Sequence, residues 1–176
     1  MKCIDNYQDI IKVIRTYIHD IIGINLKDIR NATDTYGQTL IKLLEGKKYN
    51  SYKLSDSVVL LNLETRNNSS DFNATENDSS VYYKSYEVKA IIYGNSSMSI
   101  GNAIYSKFNT DYVLSKLITD GIYVEFITSP VLFNEFLNDV IWPRTDLSLM
   151  VSVKHKFDNL LNYEFDNINN INVEAE

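Results

Sequence analysis

One cysteine, Cys3, and two histidines, His19 and His155, are all that 176 residues offer to redox or soft-metal chemistry. A lone cysteine cannot close an internal disulfide, which suits a reducing compartment. The histidines stand far apart, with no cysteine or paired carboxylate at ligand spacing, so no metal site and no cofactor is expected. None of the G-x-G-x-x-G, G-x-x-x-x-G-K-[ST] or G-x-S-x-G patterns occurs, which sets aside nucleotide binding through a glycine loop and the serine-hydrolase elbow. No apolar run approaches the roughly 20 residues that span a bilayer. No basic, apolar, small-residue succession opens the chain, so no signal peptide is expected and the protein should be made in the cytoplasm. Positive charge is also scarce. Lys and Arg number 17 against 23 Asp and Glu, a net charge of −6, which lacks the basic footprint of a protein that grips phosphates.

What is present is a legible architecture between Tyr82 and Phe157. Tyr82, Tyr86, Val88, Ala90 and Ile92 share one parity while Ser85, Glu87 and Lys89 share the other, the signature of a half-buried strand of about eleven residues. Gly94-Asn95-Ser96-Ser97 stops it, and Ser96 or Ser97 can cap a helix with an inward stripe of Ile100, Ala103, Ile104 and Phe108. Asn109-Thr110-Asp111 interrupts that helix. Val113, Leu114, Leu117 and Ile118 continue the stripe until Asp120-Gly121 ends it. Ile122, Val124 and Phe126 then alternate with Tyr123, Glu125 and Ile127 as a strand that Ser129-Pro130 breaks. A short helical segment is expected near Leu132 to Val140. A last strand follows, in which Leu147, Leu149, Val151, Val153 and Phe157 alternate with polar residues. His155 falls on its inward parity, which predicts a hydrogen-bonded structural histidine.

The rest fits around that core. Tyr7, Ile10, Ile11, Ile14, Ile18, Ile21 and Ile22 fall at helical spacing before Gly23, with Asp5 as cap and Gln8 in the capping-box position. The opposite face of this helix is polar and should be solvated. Between Ile24 and Ser55 the signal is weak, with Leu40, Ile41, Leu43 and Leu44 marking a short element. Val58 to Leu63 is continuously apolar, as in a strand buried on both faces. Arg66 to Ser80 has almost nothing to bury and reads as a long polar hairpin loop. The expected fold is therefore α+β: one domain over residues 1–160, a mostly antiparallel sheet of about four strands, and an N-terminal amphipathic helix and a central helix packed on it. Residues 161–176 form an acidic polar tail or docking arm.

One constellation mimics an enzyme. Asp56 before one strand, then Glu87 and Lys89 on the next, follow the order of D…ExK metal-dependent nucleases, where carboxylates hold a divalent cation and the lysine steadies charge. Glu87 and Lys89, however, lie on the polar face of their strand, where alternating Glu and Lys build a cross-strand charge ladder. The chain is expected to be no enzyme, with this site as the alternative.

The segments YEVKAIIYGNSSMSIGNAIYSKF, LITDGIYVEF, SP and WPRTDLSLMVSV, in that order, resemble bacteriophage neck or tail terminator proteins. The shared features are a strand ending in YG(N), an alanine-bearing apolar helix, a GI helix exit, and an arginine shortly before a D-L-x-L strand. The resemblance implies a virion protein assembled as a homohexameric ring at the head-proximal end of a phage tail. Such a ring stops tube polymerisation and joins tail to head. Its partners would be further copies of itself, the tail tube protein, neck, head-completion or connector proteins and, in a contractile tail, the sheath. Double-stranded DNA would pass through the lumen without specific binding, and no membrane is involved. Another head–tail adaptor or connector is the alternative within the same class. Trp142, Pro143, Arg144 and Asp146 are candidate subunit contacts, because Trp and Arg are enriched among interface anchors. Equally, Trp142 can cap the core while Arg144 pairs locally with Asp146. Asp71, Glu76 and Asp78 in the polar loop are candidates for lumen or partner contact.

Overall fold

A computed structural model of the chain describes residues 2–4, 6–32, 55–66, 81–137 and 139–156. The short element near Leu40, most of the polar loop, Phe157 and the acidic tail lie outside the described residues.

Among the described residues, ten elements occur in chain order: helix α1 (Tyr7–Ile22), a 3-10 turn (Leu26–Asp28), β1 (Ile29–Asn31), β2 (Val58–Thr65), β3 (Val81–Tyr93), α2 (Ser97–Phe108), α3 (Asp111–Thr119), β4 (Ile122–Ile127), β5 (Val131–Leu137) and β6 (Val140–Lys156). The strands form one sheet in the order β1-β2-β3-β6-β4, and β5 pairs with β6 on the same edge as β4. Among the described residues only β1 and β2 run parallel, and the other pairings are antiparallel. The fold is α+β, with a mixed sheet of six strands where about four were expected.

One face of the sheet carries the core. Val59, Leu61 and Leu63 of β2, Tyr86, Val88, Ala90 and Ile92 of β3, and Leu147, Leu149, Val151 and Val153 of β6 are all buried there. The helices lay Ile10, Ile11, Ile14, Ile18, Ile104, Phe108, Val113 and Leu117 against them. The continuous apolar run of β2 is explained by a second, smaller cluster on the opposite face, where Val58 and Leu60 meet Tyr93 and Trp142. The expected break at Asn109-Thr110 separates α2 from α3, and Gly121 leaves α3 at φ 90°. His155 is buried on the core parity, its Nε2 2.9 Å from the Tyr86 hydroxyl, as a structural histidine would be.

Several expectations are corrected. The α1 cap is Asn6, whose side chain accepts from the Gln8 N–H at 2.9 Å, rather than Asp5. Ser96 holds the cap position of α2 without a side-chain bond; Ser97 is instead buried and accepts from Thr145 Oγ1 at 3.1 Å. Ile118 is exposed where the helical stripe placed it inward. In β4 the pairing with β6 shifts between Val124 and Phe126, so Ile127 turns into the core and Phe126 out. This is the effect of a β-bulge, which reverses parity beyond it.

The largest correction concerns Leu132 to Val140. It is not helical: Val131–Leu137 is a strand, hairpinned onto β6, which begins at Val140 and spans 17 residues. Leu132, Phe133, Phe136 and Leu137 fall at helix-compatible spacing, but the tight turn with Asp139 at φ 62° and pairing along Val140–Asp146 override it.

Candidate assembly surface

β6 is longer than its neighbour. Its last pair with β3 is Arg144 with Tyr93, and Pro143 still accepts from the Gly94 N–H at 3.0 Å. Beyond that, Val140–Trp142 is held in the sheet by β5 alone. The hairpin therefore projects past the body of the sheet.

Its base is braced. Arg144 donates from Nε and Nη2 to both carboxylate oxygens of Asp146 at 2.7 and 2.6 Å, and from Nη1 to Glu135 at 3.2 Å. The Tyr93 hydroxyl donates to the same Glu135 oxygen at 2.7 Å. The bidentate bond to Asp146 raises the Arg144 pKa against the opposing effect of burial, fixing its charge. Burial, then the bond to Glu135, raises the Tyr93 pKa, so its hydroxyl stays protonated as a donor. Trp142 lies in the small cluster with Val58, Leu60 and Tyr93 and is only 9% exposed. On the other face α2 comes down onto Thr145 at Gly101, where a Cβ would stand 2.8 Å from Thr145 Cγ2 and 3.2 Å from Pro130 Cβ. No larger residue allows that approach.

Past this base the side chains are uncovered. Directly opposed residues of an antiparallel pair share a face. Leu132, Phe136 and Ile141 accordingly point to the helix-bearing side, Phe136 opposite Ile141, and are 52%, 68% and 59% exposed. Val131, Phe133 and Val140 point to the other side and are 51%, 48% and 39% exposed. Tyr123 and Phe126 extend the exposed row along β4. The outer edge of β5 pairs with no strand among the described residues.

Among the sequence candidates, Trp142, Arg144 and Asp146 stand together at the base of the hairpin, Arg144 bonded to Asp146 and Trp142 packed with Val58, Leu60 and Tyr93. Asp71, Glu76 and Asp78 lie outside the described residues. The nuclease constellation is not assembled. The Asp56 backbone lies against Gly94, seven residues along β3 from Glu87, roughly 23 Å at ~3.3 Å per residue. Lys89 instead donates to Glu64 at 2.8 Å, which raises its pKa, and Glu87 accepts from Ser148 at 2.7 Å. Among the described residues no group of three or more His, Cys, Asp and Glu side chains could hold a metal ion. Residues missed by the sequence reading are those of the hairpin itself. Their signal was present as two apolar runs, Val131 to Leu137 and Val140 to Trp142, separated by Asn-Asp.

No protein-family model matches this chain, and no curated protein matches it in sequence.

Proposed function

We propose that the chain is a structural subunit that works by assembling, as a ring-forming tail terminator at the head-proximal end of a phage tail. The observation that carries this reading is the projecting hairpin, apolar on both faces and, among the described residues, unpaired along its outer edge. An enzyme of this size gains nothing from six large apolar side chains held in water, whereas an assembling subunit requires such a surface. The order of strand, helix, strand and final D-L-x-L strand supports the terminator reading through its resemblance to that family. A ring of this kind acts sterically: one face matches the last tube ring, and the other cannot template another. The negative charge serves a DNA conduit, because phosphates are repelled rather than held. Localisation would be the virion neck, with tube and neck proteins as partners.

The test is to image the purified chain with isolated tail tubes by negative stain. Rings at one end of each tube, blocking further growth, are the expected result. A chain that ignores tubes, or that cuts DNA when Mg²⁺ is added, removes the reading.

A further inference from the structure

The hairpin presents two apolar faces, and that constrains what can cover it. Its six exposed apolar side chains, open by 39% to 68%, offer on the order of 600 Å², the upper end of the largest patch on a typical monomer. With Tyr123 and Phe126 the total is ~800 Å², one partner's share of a standard protein–protein interface.

The edge points the same way. Soluble proteins blunt free edge strands with lysines, proline, bulges or inward charges. β4 has its bulge at Val124/Phe126, and Pro130 follows it. β5 has neither, and its only charge, Glu135, is held by Tyr93 and Arg144 on the sheet face. Among the described residues, the same edge is defended over β4 and open over β5.

We infer that the β5–β6 hairpin is an arm that inserts into the body of a second copy of this chain. A second copy is the occupant because the exposed area equals one side of a complete interface, with the edge left unblunted where the arm leaves the sheet. The contact is hairpin to body rather than hairpin to hairpin. Two identical arms meeting about a two-fold axis cover one face or the edge, leaving either Phe136 and Ile141 or Phe133 and Val140 in water. Only a neighbour that encloses the arm covers both faces. Such a head-to-tail contact closes into a ring when its rotation permits. The inference thus rests on the assembly reading above and names the surface that carries it.

The experiment uses the full chain with Phe136→Glu and Ile141→Lys together. These residues oppose each other across the hairpin, so the new charges pair and retain its register while the apolar face is lost. Neither side chain is in the core, so circular dichroism and the melting temperature should match the wild type. Light scattering should show the wild type assembled and the variant monomeric, with the concentration for half-assembly raised at least ~10-fold. A tagged variant retains its accepting surface and should capture untagged wild type, and when added in excess it should keep wild-type chains from closing into rings and lower their mean mass. If the double variant precipitates, Phe133→Thr with Val140→Thr tests the opposite face in the same way.

A variant that keeps the wild-type mass overturns the arm and leaves the ring reading standing. A monomeric variant that cannot capture wild type overturns insertion, since a hairpin-to-hairpin contact gives that result. A wild type that stays monomeric overturns a second copy as the occupant and leaves a different partner there; tube-end imaging then decides the ring reading separately.

Discussion

Replacing Arg144 with Met separates the two roles the sequence allows it. If Arg144 braces the hairpin from within, the loss appears in the stability of the monomer. It makes three charge-assisted hydrogen bonds, at 2.7, 2.6 and 3.2 Å, and the side chains of Arg144, Glu135 and Asp146 are 26%, 32% and 32% exposed. A fully exposed pair is worth roughly 0–1 kcal/mol, and breaking a fully buried one costs about 3–5 kcal/mol. At one-quarter to one-third exposure, solvent screening places the cost near ~2 kcal/mol, part of it from leaving Glu135 and Asp146 facing each other. For a chain of this length that lowers Tm by about 4–8 °C. Arg144→Lys should recover less than half, because an ammonium cannot bond both Asp146 oxygens at once. A double-mutant cycle with Asp146→Asn should give a coupling of about 1 kcal/mol or more. The assay is urea unfolding under conditions that keep the chain monomeric. A variant with an unchanged urea midpoint that nonetheless fails to assemble would refute the bracing role and make Arg144 a subunit contact.

Three further outcomes follow from the packing. Gly94→Ala should destabilise by about 3 kcal/mol or more in denaturant titration, because φ is 114° and the new Cβ would stand 2.2 Å from the Asp56 carbonyl oxygen, a backbone atom that cannot swing away. Tyr86→Phe removes a bond between two buried groups, 2.9 Å from His155 Nε2, and should lower the urea midpoint by the equivalent of about 1–2 kcal/mol. The Tyr17 hydroxyl is pushed up from 10.0 to about 12, first by burial and then by its bond to Asp120, so between those values the folded chain holds a proton that the unfolded chain has released. Its contribution is complete below pH 10 and declines as pH rises toward 12, with Tyr93 acting in the same direction; Tyr17→Phe should flatten the alkaline end of a stability–pH curve.

The sheet centre was legible because parity is a strong signal where one face is buried: β3 and the second half of β6 alternate as expected, and His155 takes its inward place. Legibility failed where local pattern and tertiary pairing disagree. The bulge in β4 has no residue-level marker, yet it moves Phe126 from core to surface. The hairpin failed for a more instructive reason. A strand with apolar residues on both faces looks, without its partner, like a helix or a buried strand, because exposure of such residues is not what a single folded chain ordinarily favours. Trp142 and Arg144, the sequence's candidate interface anchors, stand within the chain at the foot of the hairpin whose exposed residues the sequence did not mark.

Assembly is the claim on which the account depends, and the mass of the full chain across a concentration series, by light scattering, tests it most directly. The account predicts a rise from 20.3 kDa to a plateau near six times that value, about 120 kDa. A mass of one chain at every concentration, unchanged when tail tubes are added, contradicts it.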